Sequence, residues 1–102
     1  MFGFLRKLFG GADIKALLDD GAVVLDVRTK AEYKNGHVKG SVHMPLHVID
    51  KQIKQLRKYN KPIVTCCASG RRSGVAASRL KAYGLEAYNG GSWTSVRRLK
   101  QS

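Results

Sequence analysis

Cys67 is followed by Ala68, Ser69, Gly70, Arg71, Arg72 and Ser73, and it closes the apolar run Ile63-Val64-Thr65-Cys66. A cysteine at the end of a strand, entering a short loop of Gly, Arg and Ser, has what a low-pKa nucleophile needs. Backbone N–H groups of a curled loop and of the helix that follows can bind an anion. Two guanidiniums nearby add positive charge, which favours thiolate over thiol.

The elements that must position this loop are legible in outline. Asp13 can cap a helix over Ile14 to Asp19 that ends at Gly21. Residues 22–27 form an apolar run suited to a strand covered on both faces. Thr29 and Glu32 have capping-box spacing and should open a short helix that stops at Asn35-Gly36. Val38 to Met44 reads as a short strand. Val48, Ile49, Ile53 and Leu56 then lie at helical spacing, and Lys61-Pro62 turns into the strand that ends at Cys66. After the loop, Val75, Ala76, Leu80 and Tyr83 mark a helix closed by Gly84. Leu85 to Tyr88 looks like a last strand, followed by Asn89-Gly90-Gly91, and Trp93, Val96 and Leu99 suggest a terminal helix. Strands alternating with helices imply an α/β domain with a mostly parallel central sheet and helices on both faces. Ligands bind such sheets beyond the carboxyl ends of their strands, which is where Cys67 falls.

The 102 residues suit one domain. Residues 1–11 read as a short apolar and basic tail, with Gly10-Gly11 as its hinge, and residues 12–102 as the domain. The tail lacks the order of a secretory signal. It could lie on a membrane or partner as a short amphipathic helix; the simpler expectation is a tail folded back on the domain or partly disordered. Two adjacent cysteines make no disulfide framework, so a reducing cytoplasm fits better. The formal net charge is +12. Residues 1–50 hold seven basic and six acidic side chains, whereas residues 51–102 hold twelve and one. A positive field around Cys67 would draw in small anions. A solvated basic face that serves solubility alone, nucleic acid or an anionic membrane would also answer to the charge, and the field alone does not choose among them.

Several segments together resemble the rhodanese family of sulfurtransferases. Asp26-Val27-Arg28, Glu32-Tyr33, Gly36-His37-Val38-Lys39-Gly40-Ser41 and Met44-Pro45 follow that family's first signature in order and spacing. The stretch from Cys67 to Ser73 contains what looks like its six-residue active loop, and Gly90-Gly91 with Trp93 resembles its closing motif. The resemblance implies a rhodanese-like fold and transfer of sulfane sulfur through a persulfide on Cys67. The donor would be a small anion such as thiosulfate, and the acceptor cyanide, a thiol or a protein. Loop amides from Ala68 to Ser73 would cradle the charge and Arg71 or Arg72 would hold the donor's oxygens, with no metal or organic cofactor.

Plainer readings accompany these residues. Asp26, Arg28 and Glu32 fit an ion-pair network that fixes loops, and His37 a structural hydrogen-bonding role. His43 and His47 have the separation of helical zinc ligands, but Pro45 interrupts that geometry. Cys66 reads as a small buried hydrophobe and Trp93 as core. One arginine of the loop could instead hold it by bonding a carboxylate such as Glu32. A rival register takes Cys66 and Arg72 as the signature of cysteine-dependent phosphatases, some of which share the rhodanese fold. Gly70, three residues after Cys67, favours the sulfurtransferase register, as does Thr65 where the phosphatase signature usually has His. A non-catalytic sulfur carrier or binding module is the third reading.

Overall fold

The computed structural model describes residues 13–102, so the readings made of residues 1–11 lie outside the described residues. Asp13 accepts a hydrogen bond from the Ala16 N–H at 3.1 Å and starts α1 (Ile14–Asp19), satisfying a donor that the first turn would leave orphaned. β1 (Val23–Asp26) follows, and then α2 (Lys30–Lys34), which opens with the reciprocal Thr29–Glu32 capping box. After β2 (Val42–His43) come a 3-10 helix (Leu46–Gln52) and α3 (Ile53–Tyr59), which stops at Asn60 in the left-handed region. β3 (Ile63–Cys67), α4 (Arg71–Ala82), β4 (Ala87–Ser92) and α5 (Trp93–Gln101) complete the chain.

The four strands form one parallel sheet in the order β2-β1-β3-β4. Parallel neighbours need crossovers, and here helices supply them on both faces. Side chains alternate along a strand, so each central strand feeds two cores. Leu25, Ile63 and Cys67 join Ile49, Leu56, Ala76 and Leu80 on one face. Val24, Val64 and Cys66 join Leu18 of α1 and Val96 of α5 on the other.

Three readings of the sequence need correction. The strand expected over Val38 to Met44 shrinks to Val42–His43. Gly40 at φ +82° and a hydrogen bond from Ser41 N–H to the Val38 carbonyl make residues 38–41 a turn, although Val38 itself is buried. Val75 and Tyr83 do not mark the inner face of α4; they are 42% and 43% exposed. That helix buries Ser73, Ala76, Ala77 and Leu80 instead, a stripe at the same period displaced around the axis. The last strand starts two residues late and runs through Asn89-Gly90-Gly91. Leu85 is still tied to the end of α4 through Leu80 O. Gly90 serves close packing: a Cβ there would lie 2.6 Å from Val64 Cγ1 and 2.8 Å from Val96 Cγ2.

Candidate active site

Cys67 is the last residue of β3, and Gly70, at φ +99°, turns the chain into α4. Glycine meets that conformation without the steric cost of a Cβ, and a Cβ there would also come within 3.2 Å of Gly91 Cα. The loop curls so that its donors converge on sulfur. Cys67 Sγ accepts from Gly70 N–H at 3.0 Å, from Ser73 N–H at 3.4 Å and from the Ser73 hydroxyl at 3.4 Å. Burial by itself would raise the Cys67 pKa; the Ser73 hydroxyl and the amides of Ser73, Gly70 and Ser69 outweigh it and bring the thiol down to about 7. Donors aimed at an ionised group stabilise it without having to reorganise. Of the two sources that the sequence suggested, loop donors and guanidiniums, the loop donors lead.

Cys66, one residue earlier, faces the α1/α5 core. Burial, then the nearby Asp26 carboxylate, push its thiol up to about 12. Only one of the two sulfurs is poised to act as an anion near neutral pH.

The two loop arginines separate. Arg72 makes a paired contact with Glu32, Nη1 to Oε1 at 2.7 Å and Nη2 to Oε2 at 2.9 Å. Glu32 also takes Thr29 N–H and Thr29 Oγ1 at 3.1 and 3.0 Å. The Arg72 guanidinium, then the Thr29 amide, hold the Glu32 carboxyl down at about 2. Arg71 is exposed at the mouth, as are Ala68 and Ser69. Asp26 and Arg28 form a separate buried pair, with Arg28 Nη2 at 2.8 Å from Asp26 Oδ2 and 2.7 Å from the Gly36 carbonyl. The Arg28 guanidinium also lies over the Trp93 ring at 4.7 Å, so Trp93 ties α5 to the β1–α2 connection. His37 stacks on Tyr33 and bonds its carbonyl through Nδ1. His43 stacks on the same ring, and its Nε2 lies 2.7 Å from the Arg28 carbonyl oxygen. His47 is exposed. Asp26, Arg28 and His37 are therefore grouped around the β1–α2 connection, and Glu32 alone of the four reaches the loop.

Two residues around the loop were given no part in it by the sequence reading, which used Thr65 only to weigh the phosphatase register. Thr65 Oγ1 donates to the Ser73 carbonyl at 2.8 Å. Asn89 Nδ2 donates to the Gly70 carbonyl at 3.0 Å, while Oδ1 accepts from Ser73 Oγ at 2.7 Å. Asn89 preceded two glycines and read as turn. Nothing local marks it as a neighbour of the loop sixteen residues before it.

A family model described as a rhodanese-like domain matches residues 11–100. YrkF of Bacillus subtilis, whose name proposes a sulfur carrier protein, is 40% identical over 68 residues, covering 67% of this chain and 36% of that one. The thiosulfate sulfurtransferase GlpE of Pseudomonas syringae is 36% identical over 71 residues, covering 70% and 66%. A rhodanese from E. coli solved with anions superposes with a TM-score of 0.67 at 27% identity, covering 74% and 91%. The chain thus spans about a third to two thirds of the length of these two curated relatives. Because the family model takes in nearly the whole sequence, the chain belongs to the family of rhodanese-like domains.

Proposed function

We propose that residues 12–102 act as one sulfurtransferase domain that carries sulfane sulfur from a thiosulfate-like anion to a thiophilic acceptor through Cys67. The observation that carries this reading is the convergence of loop N–H and hydroxyl donors on Cys67 Sγ. The Cys67 thiolate attacks the outer sulfur of thiosulfate. A new sulfur–sulfur bond forms at Sγ, and the old bond to the sulfonate breaks, its electron pair leaving with sulfite. Cyanide or a thiolate then attacks the terminal sulfur, and Cys67 departs as the thiolate it began as. The similarity to GlpE and to YrkF supports sulfur transfer as the chemistry. Arg71 is the loop cation left to meet the donor's oxygens, since Arg72 is engaged by Glu32. Cys67 has no exposed surface, so the donor reaches Sγ as the exposed Ala68, Ser69 and Arg71 side of the loop yields.

The site geometry weighs against the phosphatase register: Cys66 lies in the opposite core and Arg72 is paired with a carboxylate. Incubation with thiosulfate, followed by mass analysis, should add one sulfur atom, about 32 Da, to the intact protein. Cys67→Ser should lose both this adduct and thiocyanate formation, whereas Cys66→Ala should keep both. An adduct that survives Cys67→Ser would refute the assignment.

A further inference from the structure

The Ser73 hydroxyl has one proton and three acceptors in reach. Its Oγ lies 2.7 Å from Asn89 Oδ1, 3.4 Å from Cys67 Sγ and 3.4 Å from the Gly91 carbonyl oxygen. Ser73 is fully buried, so its hydroxyl chooses among these protein acceptors, although Asn89 itself is exposed. The Asn89 amide is fixed in orientation at both ends: Nδ2 donates to the Gly70 carbonyl and Oδ1 accepts from Gly91 N–H, each at 3.0 Å. Oδ1 therefore keeps a donor whether or not Ser73 supplies another.

We propose that Asn89 is a positioning residue, holding the Ser73 proton while Cys67 Sγ is uncharged and yielding it when the thiolate forms. In the thiol state Sγ–H donates to a lone pair of Ser73 Oγ, and Oγ–H donates to Asn89 Oδ1. On ionisation the thiol proton leaves to solvent, and the Ser73 O–H rotates from Asn89 to sulfur. No heavy atom has to move, and no buried donor is left unpaired in either state. Where the proposed sulfur transfer holds, the same device serves the intermediate. Charge then sits on the terminal sulfur, Sγ becomes a poor acceptor, and the Ser73 proton returns to Asn89. The cradle adjusts to which sulfur is negative through one hydroxyl rotation.

The competition is measurable in the full-length protein by following thiolate absorbance, or iodoacetamide alkylation, against pH. Cys66, pushed up to about 12, stays protonated across the range in which Cys67 titrates. Asn89→Leu keeps the approximate size and removes the nearer rival acceptor, leaving the Gly91 carbonyl at 3.4 Å, no nearer than the sulfur. It should raise the thiolate-to-thiol ratio at about pH 6 by roughly three- to tenfold, the scale of the net gain from one hydrogen bond. Ser73→Ala should lower that ratio, and adding Asn89→Leu to Ser73→Ala should change it no further. A thiolate fraction unchanged or lowered by Asn89→Leu alone overturns the proposal. So does a rise that persists without the Ser73 hydroxyl, since it would mean that Asn89 acts by another route. If Asn89→Leu does not fold, Asn89→Asp tests the same coupling. Its stronger acceptor should depress the thiolate fraction more with Ser73 present than after Ser73→Ala, and equal depression in both backgrounds refutes it. Sulfur turnover is not read in any arm, so failure of the proposed function would leave this outcome standing on its own.

Discussion

The side chain of Cys67 shows how little of a thiol's acidity is intrinsic. Its neighbour Cys66 is pushed up to about 12 by burial, while Cys67 is brought down to about 7 because donors converge on it. Alkylation of Cys67 should therefore rise with pH through a midpoint near 7 and level off about a unit above it. A midpoint near the ordinary value of 9.0 would mean that the loop donors do not bear on the sulfur. Which cysteine receives the loop donors could be read from the spacing of Gly70, because a left-handed turn three residues on is a local requirement. The part played by Asn89 could not. Its contact with Ser73 comes from the pairing of β3 with β4, and a polar residue before two glycines looks like any other turn.

At the scale of elements, Glu32 is the hinge pin between α2 and α4. One carboxylate closes the capping box of α2 and clamps Arg72 in the first turn of α4. Its folded pKa, about 2 against an ordinary 4.5, gives the link a defined pH window. A depressed carboxyl contributes its full stabilisation above the unfolded value and loses it as pH falls through the folded one. Glu32→Gln should thus lower the urea midpoint by a constant amount above about pH 5, and the two proteins should converge as pH approaches about 2. A gap independent of pH would assign the effect of the variant to packing rather than to the ion pair. The capping box was legible because Thr29 and Glu32 are three residues apart. Its second partner lies forty residues away and was legible only as an option between two arginines. Strand ends were the least legible elements. Val38 is a buried residue at the start of a turn whose Lys39 and Gly40 are exposed, and Gly90 belongs to a strand whose neighbours leave no space for a Cβ; the burial of the one and the crowding of the other are tertiary.

The whole molecule carries a net charge of +12, and residues 51–102 hold nearly all of the excess. Among the described residues no helix is long and apolar enough to cross a membrane. If the field steers an anionic donor, turnover at low thiosulfate should fall as salt is added, since the screening length is about 10 Å at 0.1 M. Neutralising the exposed Lys51, Lys54 and Lys58 together should matter at low salt only. Arg71→Ala should weaken thiosulfate use at high salt as well, because it removes a direct partner and not just a distant charge. Rates that ignore salt in every variant would leave the basic surface without a part in catalysis.

The alternation of β3 has a chemical consequence beyond packing. Successive side chains leave a strand on opposite faces, so Cys66 and Cys67 are sequence neighbours separated by the sheet itself. Cys66 is next in sequence, as a resolving thiol could be, yet its side chain leaves β3 into the core opposite Cys67. Self-discharge, in which Cys66 would displace hydrosulfide and close a disulfide, is blocked by geometry as well as by the high pKa of Cys66. If Cys67 carries sulfur as proposed, a loaded chain has to wait for a second molecule. The added sulfur should then outlast removal of the donor, and the protein would store an oxidised sulfur atom without spending it on itself.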